Sequence, residues 1–356
     1  MIIDNKTIDK DNPVYFIADI GANHNGDLEK AKDLIHLAAG SGANAVKFQH
    51  FQADTIVSDY GFKQIGKQGH QVQWKTSVYE AYKNASIDLE WTETLKKTCD
   101  STGITFMTSP YSFDLVDVVD SYVSAYKIGS GDITYIDLIE YIAKKKKPIF
   151  LSTGASTMGE VNEAIYHILL HLNNYNLVLM QCNTNYTIKW KNFRHINLNV
   201  LQSYVSLYPH LILGLSDHCP GYSNVLGAVT LGAKVIEKHF TDNNKQKGPD
   251  HKFALTSNMW TEMVIRTREL ENALGDGFKR VEANEKETRI LQRRCLRVNK
   301  DIPKNIILKS EDIDILRPCP IDAIEPYRIK EVLGKKVLHG LKKGEYIKWY
   351  DLKEEK

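Results

Sequence analysis

The sequence predicts an α/β protein, a (β/α)₈ barrel followed by a small separate domain, and three observations carry that prediction. Eight short β-branched apolar runs recur through residues 14–240, with segments of helical periodicity between them. Run after run ends in residues able to do chemistry, as expected where barrel strands open onto the catalytic mouth. Beyond residue 293 the pattern changes to short runs alternating with turn residues. A chain of 356 residues also fits a barrel of about 250 residues plus an appendage better than one ordinary domain.

The first run, VYFIADIG (14–21), carries Asp19 and leads to Asn23, His24 and Asn25 before the helical segment LEKAKDLIHLAAGSG. The second, NAVKFQHF (44–51), carries Lys47 and Gln49. Residues 52–88 then delay the next helix, LEWTETLKKTCDSTG, far beyond the usual few residues. On the mouth side of a barrel, the Tyr, Trp, His and Gln residues of this insertion are expected to form a lid. ITFMTSP (104–110) ends in Thr108 and Ser109, and AYKIGSGD (125–132) carries Lys127, Ser130 and Asp132. Lys144 to Lys147 close a helical stretch before Pro148, where they complement the negative end of the helix dipole. PIFLSTG (148–154) carries Ser152 and precedes the helical segment MGEVNEAIYHILLHL; LVLMQCN (177–183) leads into Asn183 to Tyr186. LILGLSDH (211–218) ends in Ser216, Asp217 and His218, AKVIEKHF (233–240) holds Glu237, Lys238 and His239, and the GPDH segment adds Asp250 and His251.

The amphipathic WTEMVIRTRELENAL ends the barrel, and the polar GDGFKRVEANEKETR reads as connecting chain. The expected limits are a barrel over 1–280, a linker over 281–293 and a small domain over 294–356. No G-x-G-x-x-G or Walker-type loop is present, which weighs against a doubly wound open sheet.

Composition narrows the function. A net charge of +2 gives no global basic field, so neither nucleic acid nor a membrane surface is an expected partner. Cys99, Cys182, Cys219, Cys295 and Cys319 are odd in number and form no C-x-x-C pair, against a disulfide framework or a cysteine zinc site. With a polar start and no run near the roughly 20 apolar residues of a membrane span, a cytoplasmic protein is expected.

Barrel strands are buried on both faces, so Lys47 and Lys127 need anionic partners. Two lysines and several hydroxyls suit a phosphate and a carboxylate held together. His218 and His239, at the ends of adjacent strands, are candidates to share one divalent metal.

The segments IADIGANHNGD, GANAVKFQ, FMTSPY, YKIGSGD, LSTG, LSDH, LGAKVIEKHFT and GPDHKFAL, in that order, resemble the N-acetylneuraminate (sialic acid) synthases and the related legionaminic and pseudaminic acid synthases. The tail from Arg294 to Leu352, with KDIPKN and ILRP, resembles the antifreeze-like (SAF) domain of those enzymes. The resemblance implies a TIM barrel with a SAF domain. It also implies condensation of phosphoenolpyruvate with the aldehyde of an N-acetylated hexosamine, water adding at C2 and phosphate leaving. It implies that His218 and His239 bind Mn²⁺ or Mg²⁺, and that Lys47, Thr108, Lys127, Ser130, Ser152 and Ser216 bind phosphoenolpyruvate. Asp19 and Asp132, with Lys47 and Lys127, fall at catalytic positions. Gln49, Tyr186 and Asp250 fall on the sugar side, Asp250 also near the metal-bound water. Arg317 would reach the sugar's acetamido group in a partner's site, implying a domain-swapped homodimer.

Asp19 and Asp132 stand where the family usually has Glu, one methylene longer, and a shift of about 1 Å in a positioned group can cost about a hundredfold in rate. QCNTNYT and PCPIDAIEP also depart from the family's runs, both on the sugar side. Two alternatives remain open: condensation onto another acceptor, such as a phosphorylated pentose, and a carbohydrate-binding relative without activity.

Overall fold

The computed structural model of the protein describes residues 1–68, 71–72, 74–186 and 189–353. Eight parallel strands close on themselves. They are β1 (Tyr15–Asp19), β2 (Ala45–His50), β3 (Thr105–Pro110), β4 (Tyr126–Ile128), β5 (Ile149–Ser152), β6 (Leu177–Cys182), β7 (Ile212–Asp217) and β8 (Val235–Thr241). Each pairs with the next, and β8 returns to pair with β1. The expected barrel is present, and each of the eight apolar runs supplies one strand.

Strand side chains alternate between two faces, and here both faces are buried. Outward residues such as Phe16, Phe48, Phe106, Leu179, Leu215 and Ile236 join the helices in one core, each large one contributing roughly 1.5–3 kcal/mol by burial. Inward residues such as Ile17, Met107, Phe150, Met180 and Val235 fill the lower barrel, where Ile3 and Ile8 join them. Those two come from an N-terminal hairpin, Ile2–Ile3 paired with Lys6–Thr7. Its turn residues Asp4 and Asn5 both have positive φ, a conformation these two residue types tolerate. Toward the mouth the inward positions change from apolar to polar, and the site begins there.

Helix α1 (Leu28–Gly40) shows how the sequence sets the surrounding layer. Asp27 caps it by accepting from the backbone N–H groups of Glu29 and Lys30, and Ala31, Leu34, Ile35 and Ala38 form the buried stripe. The insertion after β2 is partly helical: α2 (Ala53–Ile56), α3 (Asp59–Ile65) and α4 (Val78–Ala85) precede α5 (Trp91–Thr102). The lysine run does more than face a helix end, because Lys145 pairs with Asp117 at 2.6 Å and Lys147 with Asp120 at 2.9 Å. Among the described residues, no helix is long and apolar enough to cross a membrane.

Residues Met1–Gly275 and Asp276–Lys356 form two compact units. In the second, β9 (Cys295–Val298) pairs antiparallel with β10 (Ile313–Leu316). Leu296, Val298, Ile302, Leu308, Ile324, Val337 and Ile347 are among the residues of its own core. The stretch read as linker contains a helix, Lys286–Gln292. All five cysteines are free and buried.

Candidate active site at the barrel mouth

Strand register assembles a charged network. Asp19 lies opposite Lys47 on one side and His239 on the other, and Glu237 lies opposite Ser216. Lys47 Nζ is 2.8 Å from Asp19 Oδ2 and 3.6 Å from Glu237 Oε1. Lys127 Nζ donates to the same Glu237 oxygen at 2.7 Å, and Ser216 Oγ donates to it at 3.0 Å. Two buried ammonium groups therefore meet two buried carboxylates, which answers the requirement that each lysine be paired. Burial alone would raise the Glu237 carboxyl, but the charges of Lys127 and Lys47 and the hydrogen bonds from Lys127 and Ser216 outweigh it and hold the group at about 2. Burial opposes charge on both lysines; the facing carboxylates of Asp19 and Glu237 nevertheless push Lys47 up, while Lys127, with Lys47 beside it, is lowered. Although one methylene shorter than Glu, Asp19 reaches this network, and its Oδ2 also accepts from Gln49 at 3.3 Å.

Several buried polar atoms at the mouth make no hydrogen bond: Ser109 Oγ, Ser152 Oγ, Glu237 Oε2 and His239 Nδ1. Native interiors rarely leave such groups unpaired, and each costs free energy unless a ligand engages it. Ser130 Oγ is already used, accepting from Gly154 N–H at 2.9 Å. Two lysines beside unpaired hydroxyls make a receptor for an oxyanion.

Thr108 does not belong to that receptor. Its hydroxyl donates to Phe48 O at 3.0 Å and meets His50 Nδ1 at 2.7 Å, and His50 Nε2 in turn meets Thr92 Oγ1 of α5 at 2.9 Å. All of this lies on the outer face of the strands. The alternation that turns Met107 inward turns Thr108 outward and Ser109 inward, so Ser109 takes the mouth position expected of Thr108.

His218 and His239 come together as expected, with ring centroids 5.4 Å apart. His218 Nδ1 lies 3.0 Å from Asn183 O, which fixes this nitrogen as the N–H and leaves Nε2 available. Burial, reinforced by His239, lowers His218 to about 3, so it is a neutral imidazole. Tyr186 packs edge-on to His218 at 4.4 Å and Phe253 to His239 at 4.9 Å. A neutral imidazole beside a second with an unpaired buried nitrogen fits two-point ligation of a divalent ion. Among the described residues, no group of three or more His, Cys, Asp or Glu surrounds a common point, so further ligands would be water or substrate. Behind the pair, Lys238 Nζ bonds Asp217 Oδ2 at 2.6 Å and Cys219 O at 2.7 Å. That buried clamp joins the ends of β7 and β8 on their outer face.

Asp250 sits at the rim, where its Oδ2 accepts from Ala22 N–H at 3.0 Å and lies 4.0 Å from His239 Nδ1. Gly21 makes this approach possible: it has φ +50°, and a Cβ there would fall 2.7 Å from Asp250 Oδ2 and 3.2 Å from His239 Cε1. Asp132 ends a 3₁₀ turn after β4, and burial raises its carboxyl to about 6. Above the network opens a cleft whose lining includes Gln49, Tyr186, His239 and Asp250 together with Phe51, Trp74, Ala81, Tyr82 and Ala85. The insertion thus covers the mouth as a lid would; its His70 and Gln73 lie outside the described residues. Arg317 is exposed at the end of β10 in the second unit. Sequence reasoning gave Glu237 no role, yet it stands two residues before His239 on the same strand face, a spacing that marks it as inward.

A family model described as the NeuB family matches residues 34–279. A second model, the SAF domain, matches residues 293–353. An uncharacterized protein of Methanocaldococcus jannaschii is 32% identical over 98% of this chain and 98% of its own. The N,N'-diacetyllegionaminic acid synthase of Campylobacter jejuni is 34% identical over 93% of this chain and 98% of its own. The crystal structure of the N-acetylneuraminic acid synthetase of Leptospira borgpetersenii superposes with a TM-score of 0.67 at 28% identity, covering 78% of this chain and 90% of that one.

Proposed function

This chain belongs to the NeuB family, and on that premise we propose that it joins C3 of phosphoenolpyruvate to the aldehyde carbon of an N-acetylated amino sugar. Water adds at C2, phosphate leaves, and the product is a nonulosonic acid of the sialic type. The observation that carries this reading is the convergence, at one barrel mouth, of Lys47 and Lys127 with the unpaired hydroxyls of Ser109 and Ser152. A phosphate and a carboxylate on one small molecule would satisfy all of them.

In this reading Lys47, Lys127, Ser109, Ser130, Ser152 and Ser216 hold phosphoenolpyruvate, while Glu237 keeps the lysines charged and in place. Gln49, Tyr186 and Asp250 orient the sugar aldehyde. When bound, a divalent ion, Mn²⁺ or Mg²⁺, held by His218 and His239 supplies Lewis acidity toward the aldehyde oxygen. Asp132, raised toward neutrality, takes the proton of the water that adds at C2. Asp19 holds Lys47 and His239 in register. The resemblance assigns Arg317 to the acetamido group of the sugar in a second copy's barrel, so the proposed active form is a homodimer with exchanged small domains.

Phosphate release from phosphoenolpyruvate that requires an amino-sugar acceptor tests the reading; release without acceptor, or none with any acceptor, contradicts it. Two variants test the assignments. Ser109→Ala is expected to raise the phosphoenolpyruvate KM about tenfold or more, the worth of a hydrogen bond to a charged group. Thr108→Val is expected to lower thermal stability and leave that KM nearly unchanged, and the reverse pattern would restore Thr108 to the site. For Asp132, kcat/KM is expected to fall as pH drops through about 6, because the protonated carboxyl cannot act as base. Asp132→Asn is expected to remove that limb and to lower the rate by about 10²–10⁴-fold; an unchanged limb would clear Asp132 of the role.

A further inference from the structure

The loop that leaves β8 brings two side chains to His239. Asp250 Oδ2 lies 4.0 Å from its Nδ1, and the Phe253 ring meets its ring edge-on at 4.9 Å. Between those two residues stands His251, fully buried and bonded through both ring nitrogens. Its Nδ1 is 2.7 Å from Thr241 Oγ1 at the end of β8, and its Nε2 is 3.0 Å from Asn25 Oδ1 in the turn after β1. One ring therefore spans the ends of the two strands beside which Asp250 is held.

The polarity of this bridge is set from outside the ring. Gln246 donates through Nε2 to Asp242 Oδ2 at 2.8 Å, so its carbonyl oxygen faces Lys30 Nζ and Asn25 Nδ2, the latter at 3.2 Å. An Asn25 amide that donates to Gln246 turns its oxygen to His251. His251 Nε2 then carries the proton, and Nδ1 accepts from the Thr241 hydroxyl. Burial, with Lys30 adding to it, lowers His251 to about 4, so the ring is neutral as this arrangement requires. The backbone is fitted to the ring as well. Asn25 has φ +53°, which Asn tolerates. A Cβ on Gly248 would fall 2.6 Å from His251 Cδ2 and 3.1 Å from Asn25 Oδ1, so the loop closes on the ring only with glycine there.

We propose that His251 is a positioning residue: by bridging Asn25 and Thr241 it fixes the loop so that the Asp250 carboxylate stays on Ala22 N–H and beside His239, where it meets the acceptor. The inference rests on the sugar-side role proposed for Asp250 and adds what holds that carboxylate in place. The Ala22 N–H bond, 3.0 Å long, reports on it directly. A displacement of about 1 Å in such a group costs about a hundredfold in rate.

The test joins acceptor kinetics to amide hydrogen exchange of the metal-free protein. With whichever N-acetylated hexosamine of a panel turns over fastest, His251→Ala is expected to lower acceptor kcat/KM by about 10- to 100-fold. The phosphoenolpyruvate KM is expected to stay unchanged. His251→Gln, whose amide can still donate to Asn25, is expected to recover most of the loss. In an Asp250→Ala background, His251→Ala is expected to cost nothing further, because the two residues act as one unit. The Ala22 amide is expected to exchange about tenfold or more faster in both single Ala variants, while the amides of β5 keep wild-type protection. Asn25→Gly, which tolerates the positive φ and removes the same partner, is expected to give the same pattern and serves if His251→Ala fails to fold. Wild-type protection of Ala22 in the folded variant, or an equal loss of activity with and without Asp250, would overturn the positioning role and leave the condensation standing. Absence of turnover in the wild-type protein would overturn the condensation; Ala22 exchange then decides the positioning role, faster exchange supporting it and unchanged exchange rejecting it.

Discussion

Glu237→Gln is expected to destabilise the barrel by about 3–5 kcal/mol, the cost of breaking a buried ion pair from one side. The amide keeps the shape of the carboxylate, so the loss isolates charge. It removes the negative charge shared by Lys127 at 2.7 Å and Lys47 at 3.6 Å, leaving two buried ammonium groups with the Asp19 carboxylate alone. Because the folded Glu237 carboxyl is held at about 2, below its unfolded value of about 4.3, its contribution is fully present above the unfolded value. It is lost as pH falls from there toward 2. Urea titrations of wild type and variant should therefore differ most near neutral pH and converge as pH falls through that window. A variant as stable as wild type at pH 7 would mean that the lysines are held by other groups.

His239→Ala is expected to abolish measurable Mn²⁺ binding by calorimetry and to reduce turnover by about 10²–10³-fold or more, as loss of an electrostatic stabiliser at the reacting centre does. The residue stands at the end of β8 with Asp19 in register beside it, Phe253 against its ring and an unpaired buried nitrogen. Metal binding and turnover must fall together. Full turnover in the variant, or unchanged Mn²⁺ binding, would reject the metal assignment and leave His239 as a partner of Asp19 alone.

The barrel was legible because its strands are short, β-branched and bounded by polar ends, a local pattern that tertiary context did not override. Lys47, Lys127, His218 and His239 were legible for a related reason, since such residues in strand positions must be explained by what they meet. Strand phase was the unused signal. Counting in twos from the apolar interior residues Met107 and Val235 reaches Ser109 and Glu237, and passes over Thr108. Other features depend on partners far away in the chain. Lys127 and Glu237 are 110 residues apart, the N-terminal hairpin is defined by packing into the barrel floor, and Lys145 and Lys147 find their carboxylates on a neighbouring helix. Helix α2 has 4 residues and α3 has 7, too few to show a helical period, so residues 52–88 read only as an over-long connection before the next helix.

The charged network has its chemical meaning only if it holds phosphoenolpyruvate beside an amino-sugar aldehyde. Mass spectrometry of a reaction containing the protein, phosphoenolpyruvate, Mn²⁺ and a panel of N-acetylated hexosamines measures that directly. The expected product is a new 2-keto acid that carries every carbon of one acceptor plus the three carbons of the enolpyruvyl unit, formed one for one with phosphate. Phosphoenolpyruvate that binds the protein yet is never joined to any sugar, or phosphate released without a new carbon–carbon bond, would contradict it.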